Sequence, residues 1–169
     1  TFRKAGGAPV TVDLPHDAMI VEKRNGGCRN GVNSGYFPGG RYIYEKSFDL
    51  DAAEIGKSVV LHFEAVYQNC KVYVGDRLAG SHRYGYTAFD VDISDYVKAG
   101  NNTVRVEVDN SLEPNCRWYS GSGIYRPVSL IIREKNHISR VRLETVDIHP
   151  ARVRVDVATT QSGEVTVEF

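Results

Sequence analysis

The stretch RWYSGSGIYR places two arginines and three aromatic side chains around a Gly-Ser-Gly. Arg117 carries a planar guanidinium fork that can hold two adjacent hydroxyls or a carboxylate. Trp118 and Tyr119 offer aromatic faces to the C–H side of a pyranose ring. Gly121 and Gly123 permit positive φ, and therefore a sharp turn into the strand that follows. We interpret this stretch as a candidate recognition loop.

Each of these side chains also has an ordinary structural interpretation. Large aromatic residues such as Trp118 and Tyr119 are usually part of a core. Arg117 is also compatible with a surface salt bridge. Arg126 precedes a strand, and we expect it to pair with a carboxylate inside the folded domain.

A second candidate lies near the amino terminus, in the segment LPHD. Asp17 follows a proline and a histidine, which is typical of a loop, and its carboxylate can accept hydrogen bonds from two hydroxyls. The alternative is an Asx-turn cap, in which the carboxylate accepts backbone N–H groups. We expect His16 to be a packed, hydrogen-bonded neighbour.

The composition excludes several classes of partner. The chain has 169 residues, of which 41% are hydrophobic and 25% charged, as in a globular protein. Lysines plus arginines number 21 and so do acidic residues, so no net charge favours a nucleic acid or an anionic membrane. No apolar run is long enough to span a bilayer and no targeting segment is apparent. The chain begins at Thr1, as an excised domain would, and localisation in a bacterial cytoplasm, in a periplasm or outside the cell stays open.

Neither a metal nor another cofactor is predicted. The three cysteines, Cys28, Cys70 and Cys116, lack the C-x-x-C spacing of zinc or redox motifs, and we expect free thiols. The five histidines are scattered without metal-ligand spacing.

Alternation of apolar and polar residues with a period of two predicts a β protein. Gly75-Asp76 supplies the turn of a hairpin, and 94–99 is the one segment that favours a helical turn. Residues 25–40 contain six glycines and predict a long loop. Strands are predicted at 42–48, 58–66, 70–74, 87–93, 103–108 and 128–134, the short spacing of a sandwich or barrel.

The pattern restarts after Asn136, with three further alternating segments before Phe169. An immunoglobulin-like sandwich needs about 100 residues, so a second β domain begins here without finishing. We therefore predict two units, at 1–136 and 137–169.

The order of these segments resembles the amino-terminal sugar-binding domain of glycoside hydrolase family 2 over residues 14 to about 135. The resemblance rests on LPHD (14–17), FDL (48–50), LHFEAV (61–66), VYVGDRLAGSHRYGYTAFDVDIS (72–94), GNNTVRVEVDN (100–110) and RWYSGSGIYRPVSL (117–130). It implies an all-β chain: a galactose-binding-domain-like jelly-roll sandwich followed by the first strands of an immunoglobulin-like sandwich. A (β/α)₈ barrel with two catalytic glutamates would follow in the whole protein.

The resemblance also assigns roles to residues. Asp17 and Arg117 would approach the first sugar subsite of the barrel, and Trp118 and Tyr119 are further substrate-binding candidates. Ala18 stands where the family usually has tryptophan, which implies a wider pocket or a different substrate. No carboxylate of this chain is predicted to be catalytic.

These expectations describe the non-catalytic domain of a β-galactosidase-like enzyme, which lines the active-site cleft. The implied partners are a galactoside-like carbohydrate and the catalytic barrel, with no nucleic acid and no membrane. Two alternatives stay open: a free-standing carbohydrate-binding module and a purely structural interaction domain. A reading frame that continues past Phe169 into a barrel would favour the first hypothesis.

Overall fold

Ten β-strands form nearly all the regular structure in a computed structural model of the chain, which describes residues 1–112 and 121–168. The strands are β1 (Phe2–Lys4), β2 (Arg41–Leu50), β3 (Ser58–Phe63), β4 (Cys70–Val74), β5 (Arg77–His82), β6 (Phe89–Asp92), β7 (Gly100–Asp109), β8 (Val128–Arg133), β9 (Ile138–Ile148) and β10 (Ala151–Thr159). Short 3₁₀ turns occupy Ala18–Val21, Gly31–Ser34 and Ala52–Glu54.

Two antiparallel sheets make up the sandwich. One has five strands in the order β1-β2-β7-β4-β5, and the other has three in the order β6-β3-β8. The alternation read from the sequence decides which side chains face inward: in β3, Val59, Leu61 and Phe63 are buried. They belong to the same apolar cluster as Tyr42 and Val72 of the other sheet. The predicted all-β sandwich is therefore confirmed.

The predicted hairpin is confirmed, and its turn explains the glycine. β4 and β5 pair antiparallel, with Val74 opposite Arg77. Gly75 has φ of +57°, a left-handed conformation that favours glycine.

Other boundaries differ from the prediction. β1 was missed because three residues are too few to show an alternation. The predicted turn near Tyr96 exists, since the backbone N–H groups of Tyr96 and Val97 both bond to Ile93 O. It is not the only helical segment, however, because three 3₁₀ turns lie elsewhere. The third alternating segment of the carboxyl-terminal part, at 164–168, is not a strand.

The described cysteines, Cys28 and Cys70, are free thiols, and Cys116 lies outside the described residues. Burial raises the pKa of Cys70 to about 11, so this thiol stays protonated at neutral pH. Within residues 1–112 and 121–168 no helix has the length and apolar character that crossing a membrane requires. The same ranges contain no cluster of three or more His, Cys, Asp or Glu side chains suited to a metal ion.

Strands β9 and β10 form a two-stranded antiparallel sheet of their own. Cross-strand partners share a face, so Leu143 lies beside Val155 on an apolar face where Leu143 is 69% exposed. The opposite face carries ion pairs, including Arg152 to Asp147 at 2.9 Å. The division into 1–136 and 137–169 stays a prediction.

We predict that amide hydrogens of β9 and β10 exchange faster than those of β2 and β7. A two-stranded sheet with an uncovered apolar face opens at lower free energy than the centre of a five-stranded sheet. Hydrogen exchange followed by mass spectrometry measures the difference. Equal protection of the amide hydrogens in the two sheets would contradict the prediction and would mean that another surface covers β9 and β10.

Candidate functional site

The carboxylate of Asp17 is held by backbone groups from two separate segments. Its Oδ1 accepts hydrogen bonds from Met19 N and from Ser122 N, both at 2.9 Å. The first bond caps the 3₁₀ turn Ala18–Val21, as the Asx-turn alternative predicted. Gly121 leaves room for this contact, because a Cβ there would lie 2.6 Å from Asp17 Oδ2. A carboxylate offers about four lone-pair sites, so two N–H donors do not exhaust its acceptor capacity.

Backbone hydrogen bonds join the LPHDA segment to residues 122–124, which include the serine of the Gly-Ser-Gly. His16 N donates to Ile124 O at 2.8 Å, and Ala18 N donates to Ser122 O at 2.7 Å. Asp17 therefore lies beside the carboxyl-terminal half of RWYSGSGIYR. The fold brings together two of the segments that the sequence singled out.

A buried side-chain pair, Asn110 and Ser122, supports the junction between residues 16–18 and 122–124. Asn110, the residue directly after β7, donates from Nδ2 to Ser122 Oγ at 2.5 Å, and the two residues are 2% and 0% exposed. Asn110 also exchanges backbone bonds with Gly40, at 2.8 and 3.2 Å. Gly39, with φ of +69°, packs so closely on Asn110 O that a Cβ would collide with it. This hydrogen bond joins two buried residues that are twelve positions apart in the chain.

His16 and Tyr44 form the apolar side of the junction. His16 Nδ1 lies 2.9 Å from Tyr44 Oη, and the His16 ring packs 4.5 Å from the Phe2 ring, so the expected packed neighbour is present. Burial lowers the pKa of His16 and raises that of Tyr44 well above its usual range. Gly123 has φ of +98°, and a Cβ there would strike Tyr44 Oη. The positive φ expected in the Gly-Ser-Gly is thus confirmed at Gly123.

A second polar cluster fixes the chain beyond the 3₁₀ turn. Tyr42 Oη donates to Glu22 Oε1 at 3.0 Å, and Lys4 Nζ lies 2.6 Å from the same oxygen. The Tyr42 side chain is fully buried, and its burial together with the Glu22 carboxylate raises the pKa of the phenol. Glu22 therefore has a structural task, which the sequence did not reveal because the residue lies in a segment without periodicity.

The remaining candidates have different outcomes. Arg117, Trp118 and Tyr119 lie outside the described residues, so their substrate contacts stay predictions. Arg126 is exposed, so the expectation that it pairs inside the sandwich is wrong. It lies two positions before Val128, the first residue of β8, and its exposed side chain is therefore outside the sandwich core.

A cavity of about 370 Å³ lies between the two sheets, and it borders the junction at Tyr44 and Ile124. Its lining is mostly apolar and includes Leu61, Phe63, Val106 and Leu130. Sugar hydroxyls need hydrogen-bonding partners, so this cavity is a poor carbohydrate site. The polar junction around Asp17 is the better candidate.

Sequence reasoning found Asp17 but missed Ser122, which binds it, and Asn110, which binds Ser122. Ser122 and Asn110 are small polar residues in segments without periodicity, and such residues are usually exposed. The available signal was the Gly-Ser-Gly itself, because a serine between two glycines can be enclosed by backbone on both sides.

Comparison with known proteins identifies the same region. Residues 34–134 match the family described as glycosyl hydrolases family 2, sugar binding domain. A putative β-glucuronidase of Formosa agariphila is 39% identical over 126 residues, which cover 75% of this chain and 12% of that protein. The β-galactosidase BoGH2A of Bacteroides ovatus is 35% identical over 156 residues, which cover 90% of this chain and 18% of that protein.

Solved structures give the same result for the fold. A β-glycosidase from Bacteroides vulgatus superposes with a TM-score of 0.81 at 31% identity, covering 90% of this chain and 21% of that one. A glycosyl hydrolase family 2 member from Bacteroides cellulosilyticus gives a TM-score of 0.79 at 36% identity, covering 88% of this chain and 20% of that one.

We predict that Asp17→Ala lowers the free energy of unfolding by about 2–4 kcal/mol, because it removes a cap and leaves the buried Ser122 N–H unpaired. Asp17→Asn keeps an acceptor oxygen at the same place and should cost under about 1 kcal/mol. Urea unfolding of both variants measures the two values. Equal losses would show that the negative charge, rather than the acceptor, holds the junction.

Proposed function

Because the chain belongs to glycoside hydrolase family 2 as its sugar-binding domain, we propose that it lines one side of the active-site cleft of a longer β-glycosidase. The chain spans less than a fifth of the length of the two curated relatives compared above. The partners in this proposal are a galactoside-like carbohydrate and the catalytic barrel of the same protein.

One observation carries the proposal. Asp17 and Ser122 belong to the two segments whose resemblance to the family implies sugar contact, and they are joined by a hydrogen bond of 2.9 Å. Contact with one sugar requires that both segments reach the same place. The backbone bonds between 16–18 and 122–124 supply a rigid base for it.

The carboxylates at this junction support a non-catalytic role. Retaining hydrolysis needs two carboxyl groups about 5–5.5 Å apart, one of which attacks the sugar while the other transfers the proton. Asp17 Oδ1 is engaged by two backbone N–H groups, and Glu22 bridges Tyr42 and Lys4. The catalytic pair is therefore assigned to the barrel that the family resemblance implies.

The identity of the sugar is the finer part of the proposal. We favour a β-galactoside, since RWYSGSGIYR resembles the β-galactosidase-like branch and BoGH2A is named a β-galactosidase. A β-glucuronide is the second candidate, because other relatives are named β-glucuronidases and a guanidinium such as that of Arg117 also binds a carboxylate. Parallel assays of the full-length protein with 4-nitrophenyl β-galactoside and 4-nitrophenyl β-glucuronide discriminate between them.

The first prediction of this proposal concerns the chain alone. Residues 1–169 should hydrolyse neither aryl glycoside above background, because the catalytic pair lies elsewhere, whereas the full-length protein should hydrolyse one of them. Release of 4-nitrophenol measures both activities. Turnover that copurifies with the short chain and disappears in Glu22→Gln or another of its own carboxylate variants would contradict the assignment.

The second prediction concerns Arg117 in the full-length protein. Arg117→Ala should lower kcat/KM by roughly 10- to 150-fold, the loss of a charged hydrogen bond of about 1.5–3 kcal/mol in the transition state. Its free energy of unfolding should change by under about 1 kcal/mol, since the sequence predicts a loop at this position.

Arg126→Ala is the matched control, because it removes the same charge from the other end of the stretch, where the side chain is exposed. Its kcat/KM should stay within about twofold of the parent value, since surface substitutions away from special features change energies by about 0.5 kcal/mol or less. An Arg117 variant with intact kcat/KM and a lowered melting temperature would make this arginine a packing residue.

A further inference from the structure

The loop between β5 and β6 presents two tyrosines to solvent. Tyr84 and Tyr86 are each 59% exposed, and their ring centroids lie 5.6 Å apart at an interplanar angle of 66°. Exposed aromatic rings in edge-to-face contact form a surface patch of the kind that marks a binding site. Neither residue has a part in the junction around Asp17.

Buried groups hold this loop in one conformation. The ring of Tyr86 packs 5.3 Å from that of Tyr67, which is only 3% exposed. Gly85 packs closely against the Tyr67 ring, so a Cβ at this position would collide with it. Tyr125 Oη donates to Gly85 O at 2.6 Å. The two exposed rings are therefore preorganised, which reduces the entropy lost when a ligand binds.

The same residues connect the tyrosines to the junction around Asp17. Tyr67 and Gly123 exchange two backbone hydrogen bonds, at 3.0 and 2.7 Å. Gly123 follows Ser122, whose N–H is held by Asp17. Tyr125 follows two residues later and bonds to the loop. One short segment, 122–125, thus positions both Asp17 and the exposed tyrosines.

We propose that Tyr84 and Tyr86 form a carbohydrate platform that binds a sugar unit of the substrate other than the one approached by Asp17. Each ring offers a π face to the C–H groups of a pyranose and a phenolic hydroxyl that can donate to or accept from sugar hydroxyls. A purely apolar partner would leave these phenolic groups without hydrogen bonds. The proposal rests on the proposed function, and it assigns the site to oligosaccharides rather than to short glycosides.

The test uses the full-length protein and two substrates of different length, 4-nitrophenyl β-galactoside and β-1,4-galactotetraose. In the double variant Tyr84→Leu/Tyr86→Leu, kcat/KM for the tetraose should fall by about 3- to 10-fold per ring, while that for the aryl glycoside should stay within about twofold. Tyr84→Phe/Tyr86→Phe keeps both rings and should recover most of the loss. Leu78→Ala, at another exposed apolar residue, is the matched control and should change neither value.

Calorimetric titration of the tetraose, and of cellotetraose, keeps this proposal separate from the proposed function. If the protein hydrolyses neither galactoside nor glucuronide, the proposed function fails, but weaker binding of a tetraose to the leucine variant still supports the platform. Equal losses of kcat/KM on both substrates would overturn the proposal. It would also be overturned if the parent protein bound no tetraose, or if the double leucine variant bound the tetraose as tightly as the parent protein. A leucine variant that altered only the oligomeric state or the melting temperature would overturn it as well, because the tyrosines would then contact protein.

Discussion

The hydrogen bond from Ser122 N to Asp17 Oδ1 is the constraint on which the candidate site depends, since it joins residues that are 105 positions apart. A loop of that length has a closure entropy that one hydrogen bond does not offset. The bond forms because the sandwich has already brought the two segments together, and the backbone pairs at 16–18 and 122–124 then fix their register. The site is thus a product of the closed sandwich rather than of either segment alone.

Glycines at this end of the sandwich provide room more than flexibility. Gly121 admits the Asp17 carboxylate, and Gly123 admits the hydroxyl of Tyr44. Gly39 leaves room for the backbone carbonyl of Asn110, and Gly85 leaves room for the Tyr67 ring. In each case a methyl group would displace a buried partner, which is costly in a close-packed interior. The composition of the Gly-Ser-Gly segment would suggest a flexible chain, but in the fold Gly121 and Gly123 are both enclosed by neighbouring side chains.

The sequence predicted the parts of the fold in which a long alternation exists. β3 and β7 each turn one face toward the core, so every second residue is apolar and buried, as at Val59 and Leu61 in β3 and at Val106 in β7. β1 has only three residues, and the 3₁₀ turns follow caps rather than periodicity, so no such signal was available. The site was partly predictable for the same reason. Asp17 has a recognisable loop setting, whereas the burial of Ser122 and the exposure of Tyr84 depend on contacts made by distant residues.

The separation between Asp17 and Ser122 also governs what happens while the protein is made. At about 5–20 residues per second, a ribosome needs roughly 5–20 s after adding Asp17 to add Ser122, given the 105 positions between them. Strand β1 can pair sooner, because its partner β2 is synthesised before Ser122. The amino-terminal segment therefore leaves the ribosome long before its final partners exist, and it must stay soluble without them. Seven of its 22 residues from Arg3 to Arg24 are charged, which suits that interval, because charged side chains keep an unfolded segment hydrated.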